Sequence, residues 1–188
     1  MLMLNGIMFV VEVLAGWRGE SMGLVADGLD MGADAAVYLL ALLAIGASDS
    51  KKLGAARFAG RVQLLLAILA ILEIGRRALV GSAPEAPTMI GVSTAALLVN
   101  IACLAVLHRY RDGEVHLQAA WIFSATDVQA NLGVLAAGVL VSTLGSAIPD
   151  LVIGMVVCWL VLRSALRIRR RVREAEAAMP QPVGVNPT

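Results

Sequence analysis

Three aspartates, Asp27, Asp30 and Asp34, fall within a stretch that is otherwise apolar or small. Their spacing, i, i+3 and i+7, places all three on one face of a helix, with Asp30 and Asp34 one turn apart. Far along the chain Ser124, Asp127 and Asn131 repeat the same spacing, while Gln129 points elsewhere on that helix. No basic residue lies in the middle of any apolar segment to neutralise these acids. Oxygen donors on two helices with no counter-charge suggest a cation held between them. Without metal, carboxylates crowded in a low dielectric hold protons, and a divalent cation binds the deprotonated form and expels them. A site that alternates between protons and metal is the core requirement of an antiporter. The plainer alternative is that the acids accept hydrogen bonds from neighbouring helices and bind nothing.

The elements that must position these groups are set by composition. The 188 residues are 59% hydrophobic and only 15% charged, with a mean hydropathy of +0.82. A soluble globular domain carries roughly 45–50% apolar and about 25% charged residues, so a soluble enzyme is excluded. Fifteen basic residues against fourteen acids give no reason to invoke nucleic acid. Six apolar segments can be drawn, at Leu2–Trp17, Met22–Gly46, Val62–Val80, Met89–Leu107, Leu117–Leu144 and Asp150–Leu166. A bilayer span needs ~20 apolar residues, and in hydrocarbon every backbone polar group must be bonded internally, so these segments are helices. The expected fold is all-α, a polytopic bundle of six transmembrane helices. The first segment also resembles a signal peptide in position, but it lacks a basic leading region and Glu12 interrupts it.

Charge placement gives the orientation. Lys51, Lys52, Arg57 and Arg61 separate segments two and three, Arg109 and Arg111 separate four and five, and six arginines from Arg163 to Arg173 close or follow segment six. Only Arg18, Arg76 and Arg77 fall on the other side. The positive-inside rule puts both termini in the cytoplasm of a cell whose cytoplasmic membrane holds the bundle, and the even number of spans agrees. Residues 1–170 are expected to form the transport domain. Residues 171–188 form a short cytoplasmic tail, proline-rich and without order beyond about residue 178.

Other polar residues are weighed individually. Asp27 lies nearer the outer end of its segment, where it could ligate or could bond backbone or water. Glu12 is read as a bonded packing residue rather than as part of an ion path. Glu73 precedes Arg76 and Arg77 by one turn, so an intrahelical ion pair accounts for it. Asn100 is expected to make an interhelical hydrogen bond. His108 and His116 flank the basic loop as solvated residues, and Cys103 and Cys158 are read as small buried hydrophobes. Gly28 and Gly32 form a small-xxx-small step that permits close helix approach.

These residues also carry a family resemblance. The stretch Gly23–Asp34, with its Ala26-Asp27 pair followed by Asp30 and then Asp34, resembles the second-helix signature of cation diffusion facilitators. Ala119–Asn131 is similar to the fifth-helix half-site, and Pro149-Asp150 opening an apolar helix into Ser164-Ala165-Leu166-Arg167 is similar too. The resemblance implies a proton-coupled exporter of divalent metal, usually zinc, with a tetrahedral site between helices two and five. It assigns Asp30, Asp34 and Asp127 as metal ligands that take turns holding protons. Where many members have histidine this chain has Phe123, which cannot ligate; Asn131, Ser124, Asp27 or water would complete the set. Such all-oxygen donors are harder than zinc usually prefers and leave cadmium, manganese, iron and cobalt open. The metal is cargo, and no prosthetic group is expected. The chain resembles a truncated subgroup without the soluble C-terminal domain, so any homodimer would form through membrane helices, and the tail arginines would contact anionic lipid. Two rivals are weighed. An intramembrane aspartyl protease needs a Gly-x-Gly-Asp sequence, which is absent before Asp34. A non-transporting membrane subunit would use its acids to pair with a partner.

Overall fold

The computed structural model describes residues 1–43, 48–108 and 115–177. Those residues form six helices: α1 (Leu2–Arg18), α2 (Met22–Leu43), α3 (Asp49–Val80), α4 (Ala86–His108), α5 (Val115–Leu144) and α6 (Ile148–Ala177). The all-α expectation holds among the described residues, and the described part of each expected segment falls on one helix. Four of the six, α3 to α6, are long and apolar enough to cross a membrane. The other two fall short for visible reasons: α1 has 17 residues, and α2 carries the three aspartates.

Two helices run well past the apolar segments drawn for them. Helix α3 begins at Asp49 rather than Val62, so Lys51, Arg57 and Arg61 sit on the helix itself and not in a loop. Helix α6 continues to Ala177 through its arginines. Lysine and arginine are good helix formers, and a backbone already bonded in the membrane extends into the polar layer without a new nucleus. Arg109 and Arg111 and the chain from residue 178 onward lie outside the described residues.

Helix α2 is central: it packs against all five other helices. The most extensive pairings are α1 with α2, α4 with α5 and α3 with α6, and among the described residues α3 touches only α2 and α6. The α1–α2 seam is close because α2 offers glycine there. A methyl group at Gly28 would come within 2.8 Å of Val13 Cγ2, and one at Gly32 within 2.8 Å of Phe9 Cδ2. Away from these seams the helices expose large apolar side chains, among them Leu65, Leu72, Val152 and Trp159, as a lipid-facing surface requires.

One end of the bundle is tied by polar contacts. In the α1–α2 turn, Glu20 adopts a left-handed conformation (φ 52°). Its carboxylate accepts the Ala83 N–H at 3.0 Å, and its carbonyl accepts a bond from the Arg77 guanidinium. The Glu85 N–H donates to the Gly19 carbonyl at 2.8 Å. Arg76 and Arg77 both donate to Glu73, at 2.7 and 2.8 Å, as the sequence spacing implied. The expected few-arginine end is therefore one physical end of the molecule.

Candidate metal centre

Helices α2 and α5 touch, and each brings acids to their common region. Asp127 is buried, at 4% exposure, while Asp30 and Asp34 are half-buried. Asp34, Asp30 and Asp27 all lie within electrostatic reach of Asp127. The side chains do not close on a single point: among the described residues, no three His, Cys, Asp or Glu groups sit together tightly enough to hold a metal ion.

The informative atoms are the buried ones without partners. Asn131 is fully buried; its amide donates to the Asp127 carbonyl at 2.8 Å, which leaves Oδ1 with no hydrogen bond. That bond fixes the side chain so that a free carbonyl oxygen stands one turn from Asp127. Asp27 is 1% exposed and neither of its carboxylate oxygens has a partner. No backbone or side-chain group of the described residues donates to it. Burying an unbonded polar oxygen costs about 1–3 kcal/mol, and a charged one more.

Glu12 is the residue that sequence reasoning misjudged. It was expected to be hydrogen-bonded, yet it is 0% exposed and both oxygens are unpartnered. The Gly28 approach explains its position, because a methyl at Gly28 would lie 3.1 Å from Glu12 Cβ. Asp27, Asp127 and Asp30 are the charges nearest it in effect. The signal was present in the sequence: Glu12 interrupts an apolar helix opposite a small-residue face that carries aspartates.

The remaining candidates separate cleanly. Ser124 and Phe123 lie on α5, and their side chains lie outside those described, as does that of His116. Gln129 is exposed, away from the acids. Asn100 reaches across to α2, its amide 3.9 Å from the Met31 sulfur. Cys103 and Cys158 are free and buried, and His108 is exposed at the end of α4. A cleft of about 570 Å³ opens between α2 and α3, but among its lining side chains Gln63 alone is polar, so it offers an ion no ligands.

Asp150 shows what a structural acid looks like in the same bundle. It sits in the first turn of α6 and is fully buried. Its carboxylate accepts three bonds from the start of α2: the Ser21 hydroxyl at 2.6 Å, the Met22 N–H at 2.7 Å and the Gly23 N–H at 2.9 Å. The Ser21 oxygen in turn accepts the Leu24 N–H at 3.1 Å. Helix-starting N–H groups without intrahelical partners favour an anion in that position. Asp150 therefore caps α2 from another helix.

Comparison with known proteins adds to this picture. Residues 1–174 match the cation efflux transmembrane domain. The chain is 27% identical to the zinc transporter ZitB of Yersinia pestis, over 96% of this chain and 62% of that protein. It is 25% identical to the metal cation efflux system protein CzcD of Cupriavidus metallidurans, over 89% of this chain and 59% of that one. A cadmium, cobalt and zinc/H(+)-K(+) antiporter of Bacillus velezensis is 25% identical, with 90% and 58% covered. The chain spans about three-fifths of the length of these curated relatives.

Proposed function

As the chain belongs to the cation efflux family, we propose that it carries divalent metal ions out of the cytoplasm in exchange for protons. Asp30, Asp34 and Asp127 bind the cargo, and the Asn131 carbonyl oxygen joins them. The observation that carries this reading is the set of fully buried oxygens without protein partners on Glu12, Asp27 and Asn131, the last of them bonded to the Asp127 backbone. Such oxygens are costly unless something cationic visits them.

The cycle follows from the charges. With the site open to the cytoplasm, a divalent cation displaces protons from Asp30, Asp34 and Asp127 and draws the carboxylates together. With the site open to the other side, protons return and the metal leaves. Helices rock to exchange the two exposures, as in secondary transporters generally. Both termini lie in the cytoplasm, because the basic residues gather at that end of α3 and α6. The donors are oxygens, so zinc competes with manganese, cadmium, iron and cobalt on less favourable terms than at a nitrogen or sulfur site.

Reconstitution in liposomes tests this. Under an imposed pH gradient, the protein should take up zinc and move protons the other way, and Asp127→Ala should abolish both. Absence of metal-dependent proton movement in the wild type would defeat the transporter reading and favour a subunit that pairs its acids with a partner. Flux that persists in Asp30→Ala, Asp34→Ala and Asp127→Ala would defeat the site while leaving transport intact.

A further inference from the structure

The end of the molecule away from the Glu20–Arg77 ties holds a small cavity of about 150 Å³ between α3 and α6. Its lining is Arg57 and Arg61 from α3 with Arg169, Val172 and Arg173 from α6. Among the described residues no acid contributes to it. Arg61, Arg169 and Arg173 have no acidic partner among the described residues, whereas their neighbour Arg170, outside the cavity, pairs with Glu174 at 2.8 Å. Arg169 is half-buried and Val172 is buried, so the cationic groups surround a concavity and do not simply radiate into solvent.

Arg61, Arg169 and Arg173 around one hollow repel one another unless an anion sits among them, and their planar forks match phosphate oxygens. What lies beside the cavity identifies the kind of phosphate. Residues 61, 65, 68 and 72 follow the i, i+4, i+7, i+11 spacing of one helix face. Leu65, Ile68 and Leu72 on that face of α3 are exposed. On α6, Leu166 and Met155 continue the apolar exposure above Arg169 and Arg173. A cationic pocket at a helix-pair end, with a bare apolar strip running from it along the membrane-crossing part, has the shape and polarity of an anionic phospholipid.

We propose that Arg57, Arg61, Arg169 and Arg173 form a binding site for the phosphate headgroup of an anionic phospholipid, whose acyl chains lie along the exposed faces of α3 and α6. The site is separate from the acids of α2 and α5, and it stands whether or not the protein transports metal. Its headgroup clamps the α3–α6 pair at the end where the two helices extend beyond the apolar segments.

The test uses the whole protein in neutral detergent, offered equal amounts of phosphatidylglycerol and phosphatidylcholine, with retained lipid read by native mass spectrometry. Phosphatidylglycerol should be retained in preference, and Arg61→Gln with Arg169→Gln should lower that retention roughly ten- to thirtyfold. Arg163→Gln with Arg167→Gln removes the same charge from exposed arginines outside the cavity and should change retention by less than about threefold. Equal retention of the two lipids, or equal loss in the two double variants, would overturn the proposal. Displacement of the lipid by millimolar inorganic phosphate would overturn it in favour of a free-anion site. Both variants sit at exposed or half-buried positions, and circular dichroism of each double variant checks that it is folded.

Discussion

Asp150 and Asp27 are both hidden from solvent, the first capping the start of α2 and the second lying within that helix, yet they are opposites. Asp150 accepts three hydrogen bonds within 2.9 Å. Asp27 accepts none, and neither does Glu12 across the α1–α2 seam. Burial alone therefore does not distinguish the acids of this bundle, whereas partnership does. A carboxylate whose oxygens are all engaged holds two helices together, and one without a protein partner carries a cost that the proposed cation site would offset.

Substitutions that remove each kind of acid should divide along the same line. The largest effect is expected for Asp127→Ala: metal-driven flux in liposomes should fall by more than the ~10–100-fold typical of losing an outer-shell partner, with the protein still folded by circular dichroism. Next, Asp27→Asn and Glu12→Gln should each lower flux by up to about tenfold while thermal unfolding stays within about 0.5 kcal/mol of wild type or improves, since functional groups are retained against stability. A marked loss of stability in either would move these residues to the structural side. Asp150→Ala should behave in the reverse way. It strands the Ser21 hydroxyl and two N–H groups, costing about 1–3 kcal/mol in unfolding, while flux per folded molecule stays within severalfold. The smallest effect is expected for Asn100→Leu, which removes a contact to the Met31 sulfur; an interhelical bond in a membrane averages about 0.6 kcal/mol, and flux should be unchanged.

Much of this was legible before any coordinates. The i, i+3, i+7 spacing of Asp27, Asp30 and Asp34, and its repetition at Ser124, Asp127 and Asn131, indicated two helix faces, and the structure places α2 against α5. The Glu73–Arg76–Arg77 pairing followed from spacing within one helix. What escaped the sequence depends on contacts between helices. The Asp150 cap requires α6 to begin beside α2, and residues 129 positions apart carry no local trace of that. The bare state of Glu12 depends on what α2 fails to offer it, which no periodicity encodes. The early start of α3 was missed for another reason: hydropathy marks where a helix leaves hydrocarbon, not where its hydrogen-bond ladder begins.

The glycines at 28 and 32 have a mechanical consequence. Because α1 lies against them without room for a methyl group, the two helices meet backbone to backbone along that seam. Helices α4 and α5 are packed just as extensively. Glu12 and Asp27 belong to the first pair, and Asp127 and Asn131 to the second. The proposed site is thus split across two helix pairs, and in the proposed cycle the gap between Asp30 and Asp127 is the distance expected to change.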